Sequence, residues 1–488
     1  VSNPRRAGVS TAQMRCRLAG VVVVAGLIGC GGARIDRVQA VLSGLRSPVA
    51  IEGAAPRRYA LADRMKRYAV PGVSIAVADG DRVVWARGFG VGVAGAGAVV
   101  DATTLFPGSS ISKAVTATAT LRLVDERRLA LDTDVNGYLR SWKVPDNDLT
   151  ASAKVTLRRL LSHSAGTNVH AWKSYALDEA IPTLTQILDG VAPANTEPVR
   201  VEAVPGTGFR YSGGGVEIEQ LVLEDTTGER FDALMQRLVL APIGMRDSWF
   251  AAGLPLALRA RAATAHDGDG APIADRVHPE LAADGLWTTP TDLLRWAIEI
   301  AAARAGRSQR VLTRATATAM LTVQQAPVGL GPFLDGTGRG FRFGHQGSDD
   351  GYHAEIVYFP QTGQGAAIMT NGAGGQLLIR ELLFAIAAEY GWPDYAPETV
   401  AAFAADAATL DRLVGVYEAP YDSLTVTITV TRAAAGLVVA VPVLGIRSDA
   451  VLTSPTSLVL LDSGDSLAIV GAVTALRFGP LELPRRLQ

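Results

Sequence analysis

Ser110 and Lys113 stand three residues apart in the stretch 106–115, FPGSSISKAV. On a helix that spacing puts both side chains on one face. A serine hydroxyl is a poor nucleophile until a neighbouring base takes its proton. Lysine, with an ordinary pKa of about 10.4, becomes such a base when it is desolvated or set beside other positive charge. The Pro107-Gly108 pair marks a helix start, whose free N–H groups and positive dipole end suit a developing oxyanion. The chain has five lysines, at 66, 113, 143, 154 and 173, and only Lys113 follows a serine by three positions. Arginine carries nearly all the other positive charge, and arginine cannot give up its proton. The plain alternative is a capped helix start, with Ser109 or Ser110 as the cap. By itself the Ser-x-x-Lys motif is weak.

The elements that would hold this pair follow from patterning. Residues 73–78 (VSIAVA) and 82–87 (RVVWAR) flank Asp79-Gly80-Asp81, a hairpin signal in which Asp-Gly supplies the positive-φ turn. A second hairpin joins 352–359 (YHAEIVYF) to 365–370 (GAAIMT). Between them the patterns are mostly helical. Thr289-Pro290-Thr291-Asp292 opens one helix, with Leu293, Leu294, Ala297 and Ile298 as its apolar face. Another runs from about 376 to 390. Strands at both ends with helices between predict an α+β unit whose sheet is built from the terminal hairpins. Residues 401–408 (AAFAADAA) read as a linker-helix. Beyond them, 424–431, 436–443, 457–461 and 466–470 alternate strictly, which predicts a small all-β accessory domain.

At 488 residues, two or more folding units are expected. With 48% hydrophobic and 19% charged residues the chain is globular. A net charge of -1 offers no reason to expect nucleic acid as a partner. No Cys/His cluster has zinc-ligand spacing and no G-x-x-x-x-G-K-[ST] loop occurs, which weighs against metal-hydrolase and nucleotide chemistry.

Taken in order, FPGSSISKAV, then LLSHSAG at 160–166, then Phe209-Arg210-Tyr211-Ser212-Gly213, then Gly344-His345-Gln346-Gly347-Ser348, resemble the serine β-lactamase and penicillin-binding-protein superfamily. The branch is that of AmpC-type β-lactamases, D,D-peptidases and related esterases, and the resemblance covers about 56–395. It implies an antiparallel sheet flanked by helices, with a helical subdomain. It also implies Ser110 as the acylated nucleophile, Lys113 as its activator and Tyr211 as a proton acceptor or relay. The oxyanion would rest on the backbone N–H groups of Ser110 and Ser348. His345 would contact substrate, donating to a carboxylate or supporting the tyrosine, and Gly347 would let the backbone approach substrate. No metal or organic cofactor is implied. The substrate would be an amide or ester: a D-amino-acid peptide, a β-lactam or a carboxylic ester. The alternative is a penicillin-recognising sensor that acylates without turnover.

Two positions depart from the family pattern. Gly213 stands where an asparagine is expected two residues after the tyrosine, and His345 replaces the lysine of Lys-Thr-Gly. Both remove grip on an antibiotic, which puts strong β-lactamase activity in doubt. His163 reads as a loop residue that satisfies backbone groups, and a Gly-x-Ser-x-Gly elbow occurs nowhere. Asp349 and Asp350 read as a solvated turn.

The N-terminus reads as an address. Arg15 and Arg17 precede the apolar run 18–29 (LAGVVVVAGLIG), which meets Cys30. The run is too short to span a membrane, which takes about 20 apolar residues, and has the form of a signal peptide. Leu27-Ile28-Gly29-Cys30 resembles the bacterial lipoprotein signal, with Cys30 lipidated and anchoring the exported chain to the membrane; Met14 would be the start. With Cys16 removed and Cys30 lipidated, no disulfide remains. The expected organisation is a signal over 1–30, a tether over 31–55, the hydrolase-like domain over 56–395 and the β domain over 396–488.

Overall fold

The structure, a computed structural model, describes residues 36–486 except 94, 96, 422, 423, 434 and 435. The proposed signal segment and Cys30 lie outside the described residues.

Six strands build the central antiparallel sheet: β1 (Gly72–Ala78), β2 (Val83–Gly90), β3 (Phe333–Asp335), β4 (Arg342–Asp349), β5 (Tyr352–Phe359) and β6 (Gln364–Thr370). Their spatial order is β2–β1–β6–β5–β4–β3. The two terminal hairpins meet where β1 pairs with β6, Ile75 opposite Ile368. Every residue of β1 is buried, which is why it reads as a continuous run of small and apolar residues rather than an alternation. At the β1–β2 turn, Gly80 and Asp81 both have φ of +61°, as a two-residue hairpin turn of this hand requires.

Seven helices matter to the site: α1 (Arg37–Leu42), α2 (Leu61–Arg67), α3 (Ile111–Asp125), α4 (Gly213–Thr227), α5 (Leu281–Asp284), α6 (Pro290–Arg304) and α7 (Gly375–Tyr390). On one face of the sheet, Ile75 and Val77 pack with Leu378 and Leu382 of α7. On the other, Ala76 and Phe343 pack with Trp296 of α6 and the apolar residues of α3. Within the expected tether 31–55, the described residues from 36 onward are packed: Val41 of α1 joins the α7 core, and Val49–Ile51 pairs in parallel with Glu398–Val400. A six-residue helix and a three-residue strand are too short to print a period on the sequence.

Helix α3 is buried almost all round, so it has no polar face to announce it. Its interior threonines are matched instead by partners. Thr116 donates to the Ala282 carbonyl (3.0 Å), Thr118 accepts the Trp296 indole N–H (3.0 Å) and Thr120 donates to Glu219 (2.5 Å). Such pairing is what makes buried hydroxyls tolerable.

The C-terminal domain is an eight-stranded antiparallel meander: β7 (Gly415–Tyr421), β8 (Leu424–Ala433), β9 (Gly436–Val441), β10 (Ile446–Ser454), β11 (Ser457–Leu460), β12 (Ser466–Val470), β13 (Ala475–Phe478) and β14 (Leu481–Pro484). A bridge between Tyr417 and Arg485 brings its last and first strands together into a near-barrel. Leucines, valines and Tyr417 fill the interior. The expected linker-helix starts later than 401: Asp406 caps it by accepting the Thr409 N–H (2.8 Å), and the helix is Ala407–Leu413.

The near-barrel is pinned to the larger domain by charge. Asp462, in the turn between β11 and β12, accepts from Arg64 (2.8 Å) and Arg67 (2.6 Å) of α2. Arg64 also forks onto Glu381 of α7, at 2.5 and 2.8 Å, and Tyr68 donates to the same carboxylate at 2.8 Å. Side-chain exposures of 6%, 0% and 2% for Arg64, Glu381 and Asp462 mark the group as fully desolvated.

A candidate active site at the start of helix α3

Local geometry explains how Ser110 is presented. Ser109 is buried with φ of +45°, a conformation a non-glycine residue keeps only where its surroundings hold it. Those surroundings are specific. The Gly108 N–H donates to the Leu286 carbonyl (2.6 Å). The Ser112 hydroxyl donates to the Ser109 carbonyl (2.6 Å) and accepts the Leu286 N–H (3.0 Å). Ser110 is left half-buried at the residue before the helix, with no capping bond of its own. Ser109 does not cap either, and its buried hydroxyl has no hydrogen-bond partner among the described residues. Capping needs an extended cap residue, and the left-handed turn forbids that.

Lys113 reaches back to the serine: Nζ donates to Ser110 Oγ (2.9 Å) and to the Ala283 carbonyl (3.0 Å). Asp284, which no sequence motif marks, completes the group. Its Oδ1 lies 3.6 Å from Lys113 Nζ and 3.4 Å from Ser110 Oγ, which donates to it. Burial by itself would lower the lysine's pKa, but the Asp284 carboxylate, helped by Tyr211 and Glu217, raises it above the ordinary value. The amine therefore stays charged. The shell that excludes water brings an anion with it, so desolvation does not make Lys113 a base.

Helix α5 is held so that Asp284 points here. Gln220 and Glu217 of α4 accept the Ala282 and Ala283 N–H groups (2.9 and 3.0 Å), while Thr116 and Lys113 of α3 donate to the carbonyls of the same two residues. Asp284 lies 174 residues from Ser110 in sequence, and no spacing rule connects them.

Tyr211 sits across from the lysine, its ring centre 5.5 Å from Lys113 Nζ. The ring packs on His163 (4.4 Å) and His170 (4.8 Å). His163 accepts the Ser212 N–H at Nδ1 (3.3 Å), the backbone-satisfying role read from its loop. Burial, with Lys113 and two other histidines nearby, pushes its pKa down to about 3, so it is neutral. Gly213 has a steric reason: a Cβ there would stand 2.3 Å from the Trp172 ring. An indole occupies the room an asparagine side chain would need.

His345 differs from expectation. Its Nδ1 lies 2.6 Å from the Gln346 carbonyl and so must carry the proton, while the buried Nε2 has no hydrogen-bond partner among the described residues. Burial pushes its pKa down to about 4, with Lys113 adding to the effect. At neutral pH it is uncharged, and its Nε2 is an acceptor rather than the donor to a carboxylate that the resemblance implied. Gly347 also serves a different contact: a Cβ there would stand 2.1 Å from the Gly108 carbonyl oxygen, so the bare backbone lets β4 close on the turn before Ser110. Ser348 is exposed, and its hydroxyl donates to His353 Nδ1 (3.1 Å), because His353 Nε2 donates to the Ala373 carbonyl (3.0 Å). Asp349 is no solvated turn residue. It lies 2.8 Å from His278, where its carboxylate overcomes the effect of burial and pushes the imidazole up to about 9.

Ser110, Tyr211, His345 and Ser348 line one cleft of about 890 Å³. The arrangement offers a hydroxyl in contact with an ammonium and a carboxylate, facing a phenol, in a space large enough for a substrate.

Known proteins resemble the chain in sequence and in fold. The Beta-lactamase family model matches residues 58–388. Penicillin-binding protein 4 of Amycolatopsis lactamdurans is 30% identical over 340 residues, 64% of this chain and 85% of that protein. Esterase EstB of Burkholderia gladioli is 30% identical over 220 residues, 43% of this chain and 54% of the esterase. Among solved structures, an octameric penicillin-binding protein homologue from Pyrococcus abyssi superposes with a TM-score of 0.57 at 20% identity, covering 87% of this chain and 98% of the other.

Proposed function

The chain belongs to the Beta-lactamase family, a family of serine hydrolases, and from that premise we propose that Ser110 is the nucleophile that attacks an amide or ester carbonyl to form an acyl-enzyme. The observation that carries the reading is the contact of Ser110 Oγ with Lys113 Nζ at 2.9 Å inside the cleft that Tyr211 lines. Lys113 stays charged and steadies the serine oxygen as it becomes negative. The Tyr211 hydroxyl relays the serine proton, accepting it as it passes its own to the departing alcohol or amine. The carbonyl oxygen turns negative between the N–H groups of Ser110 and Ser348, and water then releases the acid. No cofactor takes part in these steps.

Esters and amides are the proposed substrates, with β-lactams poorer ones. Trp172 fills the place of an asparagine amide, and neutral His345 offers no cation to a β-lactam carboxylate. The test is mass spectrometry of the protein with p-nitrophenyl esters, D-amino-acid amides and a chromogenic cephalosporin. A transient adduct on Ser110 with product release is expected. An adduct that persists without product points to a sensor, and no adduct with any reagent overturns the proposal.

Asp284→Asn separates two roles for Lys113. The lysine's pKa is raised with the carboxylate present and falls without it. If the charged amine is required, the alkaline limb of the kcat/KM profile moves to lower pH. If a neutral amine were the base, the acidic limb would move to lower pH and activity at neutrality would rise. We expect the first outcome, with kcat/KM down by about 10- to 100-fold, the weight of one charge-assisted hydrogen bond.

Export with a lipid on Cys30 is part of the same proposal, resting on the 15–30 pattern. Metabolic labelling with a fatty acid should mark the expressed chain and be lost in Cys30→Ala; labelling that persists in the variant refutes it.

A further inference from the structure

The cleft does not stop at the catalytic group. Along β4, Phe343, His345 and Gly347 face α3, while Gly344, Gln346 and Ser348 alternate toward α7. Ser110 and Tyr211 line the cavity on the α3 side; Glu355, Leu383, Phe384 and Tyr395 line it on the α7 side. A single space therefore passes over the edge of the sheet. It can do so because β3 pairs with β4 at Arg342, Phe343 and Gly344, and from His345 on the β4 edge has no strand partner on that side among the described residues.

We propose that the α7 side of this cavity is a binding chamber for an uncharged apolar arm of the substrate, alkyl or aromatic, which crosses the edge of β4 while the scissile carbonyl sits at Ser110. The inference rests on the Ser110 reading for its chemistry and on the cavity for its size. At about 890 Å³ the cleft lies near the upper end of small-molecule sites, roughly 300–1,000 Å³. An acetyl ester would leave most of it empty.

The lining specifies the arm. Phe384 and Tyr395 pack at a tilt with ring centres 5.3 Å apart at the far end, and Phe209 and Phe333, 6.3 Å apart, flank the entry. The chamber's cations already have partners: Arg342 pairs with Asp335, and Arg380 donates to the Ser463 carbonyl of the near-barrel. Glu355 faces Gln346 and Arg380. Asp335 neutralises Arg342, and the far end of the cavity presents the aromatic and aliphatic surface of Leu383, Phe384 and Tyr395.

The test is a series of p-nitrophenyl esters from acetate to decanoate. In the wild-type protein kcat/KM should rise with acyl length. Phe384→Trp, which fills the far end, should lower the decanoate-to-acetate ratio at least tenfold. Phe384→Ser, which strips the apolar wall without filling space, should lower it too and serves if the tryptophan variant does not fold. A ratio the same in all three proteins, or a wild-type preference for acetate, overturns the chamber. Calorimetry on Ser110→Ala protein distinguishes the two readings. Decanoyl ester binding tighter than acetyl, and lost on adding Phe384→Trp, supports the chamber even if the wild type hydrolyses neither. Equal binding of both esters rejects the chamber whatever the fate of Ser110.

Discussion

Ser110→Ala protein should turn over its best ester or amide about 10⁴- to 10⁶-fold more slowly than the parent, with KM little changed. The serine oxygen forms a bond only on the way to the acyl-enzyme, so its loss raises the barrier without loosening the ground state. The adduct seen by mass spectrometry should vanish with it. Ser109→Ala makes a sharp control, because that hydroxyl has no hydrogen-bond partner to lose among the described residues. Turnover should survive there, whereas equal loss in both variants would mean that the helix start, not the nucleophile, had been broken. A Ser110→Ala protein that keeps its rate would remove the mechanism altogether.

Arg64→Met should cost about 3–5 kcal/mol of stability, the usual consequence of leaving buried carboxylates without their cation. Glu381 and Asp462 would keep only Tyr68 and Arg67 respectively. Arg64→Lys should recover part of the loss, since an ammonium restores charge but not the two-pronged bond to Glu381. Denaturant titration of the three proteins checks this. The variant should also loosen the near-barrel on the larger domain, read as faster proteolysis between 396 and 414, because Asp462 loses one of its two arginines. A midpoint equal to the parent's would show that the network contributes nothing net.

Much of the fold was legible. The two hairpins, the Thr289-capped helix α6 and the strictly alternating C-terminal strands carry local signals, periods and turn residues that act over a few positions. The short pieces α1 and 49–51 carry none. Helix α3 could be placed only by its Pro-Gly start, because a helix buried on all sides has no polar face. The Ser110–Lys113 pair was legible for the same local reason, since both residues lie on one turn of one helix.

What the sequence by itself determined, then, is the family, the order of the elements and the serine–lysine pair. What only the tertiary structure decided is the charge and reach of that pair. Asp284 comes from 171 residues beyond Lys113 and holds the lysine protonated, reversing the expectation that burial would make it a base. Trp172 explains Gly213, and burial turns His345 from a donor into an acceptor. Electrostatics and close packing act through space, over a few ångströms, between residues that chain distance does not relate. Residue types and spacing name the groups that can react; the field and the room around each are set by the elements folded against it.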